Sequence, residues 1–276
     1  MSTQNIISFQ GAKGAYSDLA CRAMYPDMET LPCSTFDLAF QAVIKRDAEY
    51  AMIPVDNTLA GRVADVHHLI PKSGLHIVGE HLQPIHHNLL GVKGTKIEDI
   101  QTVHSHIHAI PQCKGYLKKL NVQTNVQADT AGAARNVSEI KDKTQAAIAS
   151  TLAAELYDLE ILDTNIEDAD HNTTRFLVFS RKPRTSFPDK AHLKTSFTFE
   201  VRNIPAALYK ALGGFATNNV QMTKLESYVG AEFKVAFFYA DVIGHPEEDD
   251  LKLALEELTF FAKDMKILGT YPAYSK

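Results

Sequence analysis

The sequence predicts an α/β protein with largely parallel sheets, followed by a separate ferredoxin-like unit of order βαββαβ. Three observations predict it. Short apolar runs alternate with helical periodicity from Ile6 to Tyr157. A charged, proline-containing stretch from Arg181 to Lys194 then interrupts that pattern, and the order of elements changes after it. Strand–helix alternation covers each strand with helices on its faces, which favours parallel sheets.

The elements follow in order. Ile6–Gln10 reads as a strand, Gly11–Tyr16 as a glycine-containing loop, and Ser17–Tyr25 as a helix with Ser17 as its N-cap. Phe36, Ala39, Phe40 and Val43 form an i, i+3, i+4, i+7 stripe, so Phe36–Arg46 reads as a helix. Tyr50–Val55 is a buried strand ending at Asp56-Asn57-Thr58. Leu75–Val92 holds two extended runs separated by Gln83-Pro84, where the chain can pass from one lobe to another. The alternation resumes as Thr102–His104, His106–Leu120, Val122–Gln127, Thr130–Ile140, Ala146–Ala149 and Thr151–Tyr157. Two prolines, several charges and no periodicity make Arg181–Lys194 a linker. Beyond it come strand Thr195–Val201, helix Ala206–Ala216, strands Val220–Val229 and Glu232–Val242, helix Glu247–Ala262 and strand Lys266–Tyr271, with Gly230 at the hairpin turn.

Composition narrows the function classes. The 276 residues are 45% apolar, enough to build cores without staples. Cys21, Cys33 and Cys113 are scattered and form no CxxC pair, which excludes a disulfide framework and a zinc knuckle and fits a reducing compartment. The polar start, Met1–Asn5, runs into a strand and predicts no signal peptide; no stretch approaches the ~18 apolar residues of a membrane span. The net charge of −5 with dispersed basic residues carries no nucleic-acid footprint. An anionic substrate is still compatible, because a few placed cations and helix N-termini can hold one.

Four segments hold candidate chemistry. Gly11-Ala12-Lys13-Gly14-Ala15-Tyr16-Ser17 could bring backbone close to a ligand, but it is neither GxGxxG nor a P-loop, and a structural turn is the better reading. Asp56-Asn57-Thr58 ends a buried strand, where ligands of α/β sheets gather; an Asx turn capping the next helix explains it equally well. His104, His106 and His108 alternate, but a helix starting near His106 would break any shared face, so a helix N-terminus presenting Ser105 to a carboxylate is preferred over a metal. In Asn172-Thr173-Thr174-Arg175-Phe176, a hydroxyl beside a guanidinium suits a carboxylate substrate. On the residues alone, Arg175 simply pairs with Asp168 or Asp170 as a strand begins.

In this order the segments resemble the prephenate dehydratase family along nearly the whole chain. Thr174-Arg175-Phe176 matches its TRF element, with Asn172 upstream. Pro54, Asp56, Asn57 and Thr58 match its proline–acid–asparagine–Ser/Thr element, and Ser105, His106, Gln112 and Cys113 its SH…QC element. Ala146–Ser150 and Ala153–Tyr157 agree as well. The resemblance implies a type 2 periplasmic-binding-protein-like catalytic domain over 1–182, with lobe 1 at about 1–80 and 166–182 and lobe 2 at about 81–165. A linker at 183–194 and an ACT regulatory domain at 195–276 would follow.

It also implies a reaction, the loss of CO2 and water from prephenate to give phenylpyruvate in phenylalanine biosynthesis. Thr174, Arg175, Ser105 and Asn57 would be catalytic, with Asp56, Thr58, Gln112, His106, Ser17, Phe176 and Asn172 around the substrate. Hydroxide is a poor leaving group, and the family assigns its departure to the TRF threonine, here Thr174. A threonine hydroxyl is a weak acid and would act chiefly as a hydrogen-bond donor in a dry cleft. The resemblance implies no metal or organic cofactor and assembly as a homodimer or homotetramer, and the predicted lack of a signal peptide points to a cytoplasmic enzyme. L-Phenylalanine would be the effector, bound by Asn203, Ala206, Ala207, Leu208, Glu226 and Ser227.

The chain departs from the family pattern at several of these positions. Asp56 stands for a commoner glutamate, Ile107-His108 for Pro-x-Gln, Ala206 for a loop glycine, and Tyr228-Val229 for Arg-Pro. Two rival readings stand beside the first. Gly14–Ser17 and Asp129–Ala134 also resemble plant-type arogenate dehydratases. A non-catalytic amino-acid sensor or solute-binding protein is the other.

Overall fold

The computed structural model describes residues 5–187, 192–202, 204–229 and 235–274. The chain divides into two compact units, residues 1–67 with 81–176, and residues 68–80 with 177–276. The expected hairpin glycine Gly230 and the expected effector residue Asn203 lie outside the described residues.

Strand β1 (Ile6–Gln10), helix α1 (Tyr16–Met24), β2 (Glu29–Cys33), α2 (Phe36–Ile44), β3 (Tyr50–Asn57), β4 (Gly61–Arg62) and α3 (Ala64–Leu69) open the chain. β5 (His76–Pro84) and β6 (Asn88–Gly91) follow, then β7 (Thr102–His106), α4 (Ala109–Gln112), α5 (Lys114–Leu120), β8 (Gln123–Gln127), α6 (Thr130–Ile140), β9 (Gln145–Ala149), α7 (Thr151–Leu156), β10 (Glu160–Asp163) and β11 (Thr173–Ser180). The first sheet has the order β2-β1-β3-β11-β5, with β4 on β3; the second is β10-β6-β9-β7-β8. β1 is parallel to β2 and β3, and β7 is parallel to β8 and β9. The chain leaves the first sheet after β5 and returns to it as β11, inserted between β3 and β5. Two lobes crossed twice by the chain are the type 2 periplasmic-binding-protein-like architecture.

In the second lobe β9 shows why the fold closes. Its Ala147 and Ala149 meet α6 and α7 through Ala133, Ala134, Val137 and Ala153, while Ala146 and Ile148 face Val103, Cys113 and Leu117. A strand buried on both faces reads as a continuous apolar run. The small side chains let α6 and α7 approach closely. Asp129 caps α6 by accepting from Gly132 N, and Ser150 caps α7 by accepting from Ala153 N.

Several local expectations change. α1 begins at Tyr16, and Ser17 lies nearly buried inside it; Asp18 takes the orphan Gly14 N–H at 2.8 Å instead. β7 runs through His106, so Ser105 is a strand residue and no helix starts there. The helix expected over His106–Leu120 is two, α4 and α5, broken at Cys113. β2, β4, α3 and β10 were not anticipated.

The second unit ends in β12 (Leu193–Val201), α8 (Ala207–Thr217), β13 (Met222–Val229), β14 (Val235–Ile243), α9 (Asp249–Phe261) and β15 (Ala262–Pro272). The antiparallel sheet order β13-β14-β12-β15 is that of a ferredoxin-like βαββαβ fold, as in ACT domains. Period-2 alternation on β12 and β14 sends Phe197, Phe199, Phe238, Ala240 and Val242 toward α8 and α9. The opposite face carries Ser196 and a wholly buried Asp241, joined at 2.5 Å, with the Tyr271 hydroxyl 2.7 Å from Ser196.

Candidate functional site

The site is built where the two crossover segments of the first unit run side by side. Ile85 N donates to Asn172 O at 2.9 Å, and Ile166 N donates to His87 O at 2.9 Å. On this frame, the ends of β3 and β11 are held together by Thr58. Its N donates to Thr173 O at 3.0 Å, and its hydroxyl accepts from Thr173 N at 2.9 Å while donating to His171 O at 2.7 Å.

Asn57 stands at the centre. Its Oδ1 accepts from Leu59 N (2.9 Å) and Ala60 N (2.8 Å), an Asx turn that leads into β4 rather than capping a helix. Its Nδ2 donates to Asn172 Oδ1 (2.7 Å) and to Thr174 Oγ1 (2.9 Å). Thr174 therefore accepts from Asn57, and the hydroxyl's own proton remains for another acceptor. Asn172 Nδ2 passes on to Gln112 Oε1 at 2.9 Å. Asn57, Asn172, Thr174 and Gln112 thus form one connected set, although up to 117 residues separate bonded partners.

Arg175 NH1 lies 3.8 Å from Asp56 Oδ2, which corrects the expected pairing with Asp168 or Asp170. Asp168 is engaged by Gly115 N at the start of α5 (3.0 Å), and Asp170 lies beside His171. Ser105 is wholly buried and donates to Ile148 O at 2.8 Å, holding β7 to β9. Phe176 is 1% exposed and packs in the core. His106 is half-buried, its ring beside His108; burial, then that neighbour, lowers its pKa from the usual value. Among the described residues, no group of three or more His, Cys, Asp or Glu is arranged to hold a metal ion.

Two further residues complete the set, Tyr16 and His87. His87 Nε2 lies 2.7 Å from Gln112 Oε1, and its Nδ1 lies 2.9 Å from the Tyr16 hydroxyl. Burial lowers the pKa of His87, whereas burial, Cys113 and Glu167 raise that of Tyr16. The signal that could have flagged His87 is its place just before Asn88 in the fully buried β6, where a polar ring needs partners. A groove of about 620 Å³ beside it is lined by His86, Glu167, Asp168 and Asp170 among others.

Of the expected effector residues, Ala206 caps α8 in the left-handed region at φ 58°, a conformation costing an alanine about 1 kcal/mol. Ala207 is buried, and Leu208 packs against the helix-side core. Glu226 accepts from the Tyr228 hydroxyl at 2.9 Å and pairs with Lys224 at 3.0 Å; Ser227 is exposed on the other face of β13.

Comparison with known proteins shows the family. The model of the prephenate dehydratase family matches residues 7–184. A bifunctional N-acyl-homoserine lactone acylase/prephenate dehydratase of Komagataeibacter europaeus is 50% identical over 99% of this chain and 98% of its own. Arogenate dehydratase 2 of Petunia hybrida is 36% identical over 98% of this chain and 72% of its own. The crystal structure of an Arthrobacter aurescens prephenate dehydratase in complex with L-Phe superposes with TM-score 0.88 at 27% identity, over 98% of this chain and 93% of that one.

Proposed function

The chain belongs to the prephenate dehydratase family, the lyase-type prephenate/arogenate dehydratases, and on that premise we propose that it converts prephenate to phenylpyruvate, CO2 and water. The observation that carries this reading is the Asn57–Thr174 hydrogen bond of 2.9 Å. It orients the threonine oxygen as an acceptor, so its O–H can be donated to a departing hydroxyl. In the elimination, the bond from the ring to its carboxylate breaks to release CO2. Those electrons form a ring double bond, and the hydroxyl on the opposite carbon leaves and takes up a proton as water. Thr174 stabilises the charge growing on that oxygen. Arg175, beside Asp56, supplies a cation for a substrate carboxylate, and Gln112 a further donor.

A second reading is favoured by the names of relatives. Proteins 36–38% identical to this chain are named arogenate dehydratases, some of them arogenate/prephenate dehydratases. Arogenate differs from prephenate by an amino group in place of the side-chain keto oxygen, and the elimination is the same. Timed assays of phenylpyruvate from prephenate and phenylalanine from arogenate decide between them; a clear preference for arogenate overturns the first reading. Assay of an N-acyl-homoserine lactone alongside them tests the other activity in the name of the Komagataeibacter relative.

The domain reading proposed with this function is catalysis in 1–182, a linker at 183–194 and regulation in 195–276. L-Phenylalanine is the proposed effector, supported by the ferredoxin-like sheet and by the L-Phe complex of the Arthrobacter protein. A homodimer or homotetramer working in the cytoplasm completes the proposal. Among the described residues no helix is long and apolar enough to cross a membrane.

A further inference from the structure

The amide side chains of the site leave no choice about which way each one faces. The Asn57 oxygen accepts from two backbone N–H groups, Leu59 and Ala60, which can only donate. Asn57 must therefore turn its NH2 to Asn172. Asn172 answers with its oxygen at 2.7 Å and turns its own NH2 to Gln112. Gln112 presents oxygen to that NH2, and the same oxygen lies 2.7 Å from His87 Nε2. Two acceptors make no hydrogen bond, so Nε2 carries a proton. On a neutral ring Nδ1 is then a lone pair, 2.9 Å from the Tyr16 hydroxyl, whose one proton also has His86 O as an acceptor at 2.8 Å. Reading the donors outward from two backbone amides thus determines a histidine tautomer at the far end of the chain.

We propose that His87 is a positioning residue for this site: its Nε2–H, required by the Gln112 oxygen, holds that oxygen in place and leaves the Gln112 NH2 as the group offered to an anionic substrate. The inference rests on the dehydratase reading above. Among the described residues that NH2 has no other hydrogen-bond partner, and Gln112 is half-buried. Without the histidine donor, one of two bonds holding the Gln112 oxygen is lost, and the amide can turn end for end. His87 itself is well fixed: it is 2% exposed, its N donates to Glu167 Oε2 at 2.8 Å, and its O accepts from Ile166 N. The other titratable groups around the ring are Tyr16, His86, Glu167 and, beyond Tyr16, Cys113. Protonation of the ring leaves Nε2–H in place, and the Tyr16 hydroxyl, donating to His86 O at 2.8 Å, can accept from Nδ1–H. The Gln112 contact therefore survives in both charge states.

The test combines kinetics with a spectroscopic reading of the tautomer. A donor to bound substrate that acts equally in ground and transition states changes KM and not kcat. His87→Leu is expected to raise KM roughly tenfold with kcat within about threefold, as loss of one such hydrogen bond predicts. His87→Gln, whose amide nitrogen reaches the position of Nε2, is expected to bring KM back to within about threefold, and Tyr16→Phe to raise it less than His87→Leu. Two-bond ¹H–¹⁵N correlation spectra of the ¹⁵N-histidine-labelled wild type are expected to show His87 protonated at Nε2 and bare at Nδ1. An Nδ1–H tautomer, an unchanged KM in His87→Leu, or equal KM in the Leu and Gln variants overturns the proposal. If the Leu variant does not fold, the wild-type spectrum decides. If the wild type turns over neither prephenate nor arogenate, the dehydratase reading has failed, and the spectrum still judges the His87 assignment alone.

Discussion

The Asn57 amide nitrogen lies 2.9 Å from the Thr174 hydroxyl oxygen, and the Asn57 oxygen is tied down by Leu59 N and Ala60 N. The relationship gives the Thr174 oxygen a defined role: it accepts from Asn57, which leaves the hydroxyl proton for another acceptor. A threonine anywhere on a strand end could offer a hydroxyl, but a rotating hydroxyl would have to be ordered at the moment of reaction. Here the ordering is already built in.

Thr174→Ala should therefore lower kcat by about 10²–10³-fold with the melting temperature little changed, the loss typical of removing one such donor. Thr174→Ser keeps the hydroxyl and should recover most of it. Steady-state kinetics on prephenate, alongside thermal melts, checks both.

Asn57→Ala should cost stability as well as activity. It strips the partner from two backbone N–H groups and from Asn172 Oδ1. Exposure to water softens the loss, so about 1–3 kcal/mol is expected in urea unfolding. A variant as stable as the wild type would contradict the central place given to Asn57.

Gly14 sits at φ 90°, and a Cβ there would lie 3.0 Å from Ala153 Cα, with Ser150 Oγ donating to Gly14 O at 2.6 Å. Gly14→Ala combines a disfavoured backbone with a clash against α7 that no flexible side chain can relieve. About 1–3 kcal/mol of destabilisation is expected from denaturant titration.

The three thiols should react in a set order. Cys113 is wholly buried, and burial, Glu167 and Asp168 push it up to about 12; Cys21 is wholly buried and raised by burial and Asp18. Cys33 is only partly buried. Alkylation of the native protein at pH 8, followed by peptide mass spectrometry, should label Cys33 well before the other two.

His87 and His106 both have pKa values lowered by burial. The unfolded chain then binds more protons than the folded one between the lowered values and the unfolded value near 6.5. Stability from these groups is fully present above that unfolded value and falls as pH drops through the window. Melting temperature measured from pH 7.5 down to pH 5 should decline, and His87→Gln should flatten part of the slope.

What the sequence disclosed, and what it hid, follows from the range of each interaction. α6 was readable to the residue, because its apolar spacing is local. Its Asp129 cap bonds only three residues on. The βαββαβ order was equally plain from strand alternation. The start of α1 was misread because Ser17 looks like a cap, while the capping comes from Asp18 reaching back to Gly14. The break at Cys113 was hidden because apolar residues continue in helical spacing on both sides of it. In the site, Thr174, Asn57, Asn172 and Gln112 were named from segment resemblance, but their bonds span 60 to 117 residues and leave no local trace. Tyr16 stands inside the Gly11–Ser17 segment that reads as a structural turn, and His87 is 71 residues away; the two acquire meaning only when paired.

The return of β11 between β3 and β5 has a consequence for how the chain is made. On the ribosome, Asn57 emerges 115 residues before Asn172. The first sheet lacks an interior strand until the whole second lobe has been synthesised. The second sheet, built from β6 to β10, is contiguous in the chain and has all its strands by then. The nascent first lobe must wait with β3 and β5 unjoined, its exposed edges open to wrong pairing until β11 arrives.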